Sequence, residues 1–118
     1  MTAQISVGHD RDVVTAQVFG DVDLTATPVI SAEVLEAMQD ASGLVLDLTG
    51  VRYLDSAGVH MIFELARQLT LGRQGMALLL QPSSTLHRLV QITGLAEVVA
   101  VCSAQQDCEN ALREANHA

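Results

Sequence analysis

The chain has 118 residues, of which 49% are hydrophobic, and a formal charge of −8 from 14 acidic and 6 basic side chains. This length suits one domain, which we expect to span residues 1–118, and the hydrophobic content excludes an intrinsically disordered chain. The negative charge argues against binding to nucleic acid or to an anionic membrane surface, and it favours a partner with a basic surface.

Hydrophobic periodicity and turn residues divide the chain into a hairpin followed by alternating helices and strands. Residues 4–7 and 13–19 are predicted strands, and Thr27-Pro28 marks the start of a helix that ends near Ser42-Gly43. The later predicted elements are a strand at 44–48, a helix from Ser56, a strand at 76–80, a helix from Ser83 or Ser84 to Gly94, a strand at 98–101 and a helix over 104–115. We therefore predict an α/β fold, with a small mixed β-sheet of four to five strands and about four helices, mainly on one face.

The sequence carries no sign of export, membrane insertion or metal binding. The first ten residues lack the basic and apolar segments of a secretory signal, and no apolar run approaches the roughly 18 residues that span a bilayer. We expect a cytoplasmic protein. The spacing of Cys102 and Cys108 matches no zinc or redox motif, so both thiols are expected to be structural or incidental, and no cofactor is predicted.

One segment, residues 44–58, stands apart chemically. A predicted buried strand ends at Asp47, and a loop of seven residues leads to Asp55-Ser56-Ala57-Gly58 at a predicted helix start. The first N–H groups of a helix lack internal partners, so a hydroxyl there can cap the helix and a phosphate there finds donors. The small Ala57 and Gly58 would let a partner group approach the backbone closely. These residues alone leave open whether Ser56 is a modification site, or whether Ser56 or Asp55 simply caps the helix.

Two signatures in this sequence resemble those of the STAS domain family, of the anti-sigma factor antagonist type. Residues 45–66 are similar to the family's strand, its loop ending in Asp-Ser-(small)-Gly and its helix. Gly20-Asp21-Val22-Asp23 resembles the second signature, Gly-(Glu/Asp)-aliphatic-Asp, and the element order fits nearly the whole chain. Ala57 stands where members often carry Ser or Thr, and Asp21 stands where Glu is frequent.

The resemblance implies a binding module that acts as a switch and is not an enzyme. Ser56 would be phosphorylated by the anti-sigma factor, a serine kinase with a histidine-kinase-like ATP fold, and a serine phosphatase would reverse the step. The unphosphorylated protein would bind the kinase and release its sigma factor, which regulates transcription. Asp23 would lie near the serine and position or polarise its hydroxyl, and Asp55 would do similar work or shape the loop.

Phosphorylation would change how a partner meets this part of the molecule. A phosphate adds about −1.5 to −2 charges at neutral pH, here beside Asp21, Asp23 and Asp55, and it would repel a surface suited to a neutral hydroxyl. Met61 and Leu65 lie beside the predicted core stripe of the helix. Together with His60 they are candidate partner-binding residues, and burial of Met61 and Leu65 is the alternative.

Two other functions compete with the switch. A STAS subunit of a lipid-transport complex, or of a stressosome-like scaffold, would never need phosphorylation at Ser56. A serine hydrolase is disfavoured because Leu54 stands where the Gly-x-Ser-x-Gly elbow requires its first glycine. His60 and Glu64 are spaced to share a metal ion, but no third ligand accompanies them, so we expect a solvated polar pair.

Overall fold

A computed structural model describes residues 3–117, which form a mixed β-sheet of five strands together with five helices. In chain order the elements are β1 (Gln4–Asp10), β2 (Val13–Val22), α1 (Thr27–Ala37), β3 (Gly43–Leu54), α2 (Ser56–Leu71), β4 (Gly75–Leu79), α3 (Thr85–Thr93), α4 (Leu95–Val98), β5 (Ala100–Cys102) and α5 (Gln105–His117). The strands lie in the sheet in their chain order. β1 is antiparallel to β2, and each later neighbouring pair is parallel. The α/β fold with a small mixed sheet is confirmed.

Alternation along the strands builds a hydrophobic cluster on each face of the sheet. The larger cluster joins Val14, Leu44 and Leu78 to buried side chains of α1, α2, α3 and α4. The smaller one joins Val45 and Ala77, from the opposite face, to buried side chains of α5. Four helices therefore cover one face, which confirms the expected one-sided arrangement, and α5 alone covers the other.

The largest departure from the sequence-based prediction is the length of β3. The predicted strand ends at residue 48, whereas β3 continues to Leu54 and replaces most of the expected loop. β4 pairs with β3 only as far as Asp47, and beyond that point β3 is held by β2, through pairs such as Gly20 with Val51 and Val22 with Leu54. Two register shifts in this stretch of β2 and β3 accommodate the extension. The two strands thus project together beyond β4 and carry the start of α2.

A second correction concerns the region before β5. The sequence predicts a strand over 98–101, but Val98 is the last residue of the short helix α4, and β5 occupies Ala100–Cys102. Gly94, at a φ of 86°, ends α3 in the left-handed conformation and allows α4 to begin directly after it. This short helix accounts for the fifth helix, where the sequence predicted four.

Within residues 3–117, no helix is both long and apolar enough to cross a membrane.

Candidate functional site

Asp55, and not Ser56, caps helix α2. Asp55 is the N-cap residue, in extended conformation, and its Oδ1 accepts a hydrogen bond of 3.0 Å from the N–H of Gly58. The N–H of Asp55 donates to the carbonyl of Val22 at 3.2 Å, which ties the helix start to the end of β2. The two capping alternatives that the sequence leaves open are therefore resolved in favour of the aspartate.

Ser56 is the first residue of α2, and it is exposed. No hydrogen bond among the described residues involves its hydroxyl, because the helix end is already capped by its neighbour. The hydroxyl of Ser56 therefore does not stabilise the fold through a hydrogen bond to the described residues. The side chain is available to another molecule.

Gly58 has a different role from the one that the sequence suggests. It is buried, and a Cβ at this position would overlap Leu54 Cδ1 and lie 3.2 Å from Val22 Cγ1. The missing side chain lets the first turn of α2 pack closely on the ends of β2 and β3. The space is therefore filled by this chain's own core, and a partner cannot use it to approach the backbone at Gly58. Ala57 is partly buried and borders the open surface beside Ser56.

Ser56 borders an open groove of about 610 Å³ between the first two turns of α2 and the loop and first turn that open α1. Ten residues line it: Leu24, Thr27, Pro28, Ser31, Asp55, Ser56, Ala57, His60, Met61 and Glu64. Leu24 is 71% exposed, and Val29, close by on α1, is 58% exposed. Single exposed apolar side chains are common on protein surfaces, so these two add apolar area beside the groove and do not by themselves mark a binding surface.

Sequence-based reasoning missed Leu24 and the start of α1 as parts of this site. The signal was present, because Leu24 directly follows the Gly20–Asp23 signature and is the one large apolar residue of its loop. The sequence does not show that α1 packs against α2, and this packing brings the two helix starts to the same groove.

Asp23 organises the loop before α1. Its Oδ1 accepts hydrogen bonds from the Thr25 hydroxyl at 2.7 Å and from the N–H groups of Thr25 and Ala26, both at 3.1 Å. The bond from the Thr25 hydroxyl, followed by the one from the Ala26 N–H, holds the pKa of Asp23 below its usual value of 3.8. Among the described residues, none of its hydrogen bonds reaches Ser56. Its predicted action on the serine hydroxyl stays a prediction.

Asp21 lies on β2 opposite Tyr53, close to the end of β3. Its carboxylate forms an ion pair of 3.3 Å with Arg52, in which both side chains are partly exposed. The aspartate is therefore already matched with a positive charge. Asp55 is the acidic residue adjacent to Ser56 in the chain, and it shares the groove with the serine.

Burial corrects two of the three candidate partner-binding residues. Met61 is 5% exposed and Leu65 is 1% exposed, because α2 packs against α1 as well as against the sheet and α4. Leu65 therefore has no surface to offer a partner, and Met61 contributes only to the floor of the groove. The alternative of burial is confirmed for both. His60 is exposed at the groove, and its contact with a partner stays a prediction.

Glu64 and Arg67 on α2 form an ion pair, and no metal site is built around them among the described residues. Glu64 accepts hydrogen bonds from Arg67 Nε at 3.1 and 3.3 Å, and Arg67 Nη2 also bonds to it. The bond from Arg67 is the main reason that the pKa of Glu64 is lowered. Within the described part of the chain, no three His, Cys, Asp or Glu side chains come together as metal ligands.

The two cysteines lie away from this groove, near α5. Cys108 is buried in the smaller hydrophobic cluster and its Sγ lies 3.6 Å from the Leu78 carbonyl oxygen, while Cys102 is partly buried beside it. Burial raises the pKa of the Cys108 thiol well above its usual value. The buried thiol therefore stays protonated and behaves as a small hydrophobic side chain.

Comparison with known proteins identifies a matching family and similar chains. The model of the STAS domain family matches residues 4–115. The anti-sigma-B factor antagonist of Listeria monocytogenes is 36% identical over 98 residues, which are 79% of this chain and 82% of the relative.

Solved structures share the fold at lower sequence identity. An anti-sigma factor antagonist from Mycobacterium paratuberculosis has a TM-score of 0.84 at 22% identity, with 95% of each chain covered. SpoIIAA in its unphosphorylated form has a TM-score of 0.77 at 21% identity, over 94% of this chain and 97% of that one. The phosphorylated form of Bacillus SpoIIAA has a TM-score of 0.70 at 21% identity, over 92% and 99% of the two chains.

Proposed function

The chain belongs to the STAS domain family, and we propose that it is an anti-sigma factor antagonist controlled by phosphorylation of Ser56. One observation carries the proposal: Ser56 borders an open, partly apolar groove and its hydroxyl has no hydrogen-bond partner among the described residues, while its neighbour Asp55 caps the helix. Relatives named as anti-sigma factor antagonists, and a solved phosphorylated form of SpoIIAA, support it. The protein would act in the cytoplasm as a binding module and not as an enzyme.

The unphosphorylated groove suits a protein partner whose surface is basic and partly apolar. Leu24 and Pro28 supply apolar contact area at its edge, and the net charge of −8 attracts a basic surface from a distance. We propose that this partner is the anti-sigma factor, a serine kinase, and that its binding to the groove releases the sigma factor.

Phosphoryl transfer would switch this binding off. The Ser56 Oγ forms a bond to the γ-phosphorus of ATP as the bond to the ADP oxygen breaks, and the hydroxyl proton leaves to a base on the kinase. The product carries about −1.5 to −2 additional charges next to Asp55. A partner surface that accepted a hydroxyl then meets a bulky anion, and like charges in an interface cost several kcal/mol. A serine phosphatase restores the hydroxyl by hydrolysis of the phosphoester, with release of inorganic phosphate.

The direct test is intact mass measurement and phosphosite mapping on the protein isolated from its own host. We expect one added phosphate, located on Ser56 and absent from Ser56→Ala. Ser84→Ala is the matched control, since Ser84 also starts a helix but its hydroxyl oxygen accepts a hydrogen bond of 3.1 Å from the His87 N–H. Loss of the phosphate in the Ser84 variant, or its absence from the native protein in every growth phase, would contradict the switch. The latter would favour a constitutive subunit of a transport or scaffold complex.

A further inference from the structure

The groove beside Ser56 contains three ionisable side chains among the described residues that line it, and only His60 can carry positive charge. The other two, Asp55 and Glu64, are acidic. In a chain with a net charge of −8, a new phosphate at this position therefore has one cationic neighbour within the groove.

The geometry of the helix brings the serine and the histidine together. Ser56 and His60 are four residues apart on α2, so their side chains lie on the same face, with Cβ atoms about 5–6 Å apart. Both border the same groove, and both are exposed. A phosphate extends the serine side chain by one further group and brings its oxygens within reach of the imidazole.

No hydrogen bond among the described residues joins His60 to either acidic side chain of the groove, and the charge of His60 is only a minor cause of the lowered pKa of Glu64, after the bond from Arg67. Glu64, one turn further along, is held by Arg67 through Nε at 3.1 and 3.3 Å, and Asp55 Oδ1 is held by the Gly58 N–H at 3.0 Å. None of the hydrogen bonds within residues 3–117 uses the imidazole of His60. Side chains in a helix lean toward its N-terminal end, which directs His60 toward Ser56.

The N-terminal end of α2 has fewer free N–H donors for a phosphate than an uncapped helix would have. The Gly58 N–H, one of the donors that a bound anion would use, already points to Asp55. The phosphate must also tolerate the Asp55 carboxylate next to it in the chain. A positive charge on His60, one turn away, offsets both the loss of the Gly58 N–H as a donor and the repulsion from the Asp55 carboxylate.

We infer that His60 is the side chain that receives the phosphate of phosphorylated Ser56. This inference rests on the proposed function for the origin of the phosphate. An imidazolium N–H donates to a phosphate oxygen, which favours the dianion and keeps the first turns of α2 folded in the modified protein. The same movement withdraws His60 from the partner, so phosphorylation changes the groove at two side chains.

The test places phosphoserine at position 56 by genetic encoding, so that it needs no kinase and does not depend on the proposed function. Titration followed by ³¹P NMR compares the phosphate of the otherwise native protein with that in His60→Gln and His60→Arg. Loss of the positive charge should raise the midpoint of the phosphate titration by roughly 0.3 pH units in His60→Gln. Arginine should restore or lower the midpoint.

His87→Gln is the matched control, because His87 lies on α3 and outside the groove. Its phosphate should titrate as in the native protein. An equal midpoint in His60→Gln and the native chain, or an equal shift in the His87 variant, would overturn the assignment.

A second measurement is the melting temperature of each protein with and without the phosphate. The decrease in melting temperature caused by phosphorylation should be about 1–3 °C larger in His60→Gln than in the otherwise native protein. The unphosphorylated forms should have equal melting temperatures.

Discussion

Two adjacent residues, Asp55 and Ser56, have different roles at the start of α2. The carboxylate of Asp55 stabilises the helix end by accepting a hydrogen bond from the Gly58 N–H, and the hydroxyl of Ser56 has no partner within the part of the chain that the structure describes. Under the proposed function, this separation has a physical advantage, because the hydrogen bond that caps the helix does not involve the side chain that would carry the phosphate.

This division predicts unequal stability effects for alanine substitutions at the two neighbouring positions. Asp55→Ala should lower the free energy of unfolding by about 1 kcal/mol, because it removes an N-cap. Ser56→Ala should stay within about 0.5 kcal/mol of the native protein, because it removes an exposed side chain with no hydrogen bond. Urea unfolding at neutral pH measures both. A larger loss for Ser56→Ala than for Asp55→Ala would mean that the serine, and not the aspartate, caps the helix in solution.

At the scale of elements, the groove exists because β2 and β3 extend together beyond β4. Their last paired residues, Val22 and Leu54, lie directly under the first turn of α2, and Gly58 fits against both. The extension therefore fixes where Ser56 stands relative to Leu24 on the neighbouring loop.

Substitution of Gly58 tests how strongly this contact fixes the helix. Gly58→Ala inserts a methyl group that overlaps Leu54 Cδ1, and we expect a loss of about 1–3 kcal/mol in the free energy of unfolding. Gly8→Ala on β1 is the control, because no atom of the described residues lies within 4 Å of its added Cβ. It should be neutral or slightly stabilising. The effect of Gly58→Ala should shrink in a Leu54→Ala background, since the clash is removed. Equal and additive losses in the two backgrounds would exclude the clash as the cause.

In β3 and α2, some features could be predicted from the sequence and others could not. The strand at 44–48 and the start of α2 were predictable because each depends on local residues, an apolar run in one case and Asp55-Ser56 in the other. The extension of β3 was not, because Thr49, Gly50 and Arg52 have the composition of a loop and become a strand only through pairing with β2. The burial of Leu65 likewise depends on α1, a non-local neighbour.

At the scale of the whole molecule, the two faces of the sheet have different tasks. The face covered by α1 and α2 carries the groove, and the other face is closed by α5 through a small cluster around Leu112 and Cys108. Leu112 packs where Gly43 and Gly75 leave room for it on neighbouring strands, at 3.2 and 2.9 Å from the positions that their Cβ atoms would take. The cluster on the α5 side stabilises the sheet and contributes no side chain to the groove.

Substitution of Leu112 should therefore weaken the protein without altering the groove. Leu112 is 3% exposed, so Leu112→Ala leaves a cavity and should cost about 2–4 kcal/mol in urea unfolding. The exposed Leu71, at 72%, is the matched control and should change stability by less than about 0.5 kcal/mol when replaced by alanine. In native conditions the amide NMR signals of Ser56 and Ala57 should keep their chemical shifts in Leu112→Ala, while signals of β4 and α5 move. Movement of the Ser56 signals would instead mean that α5 is coupled through the sheet to the groove on the opposite face.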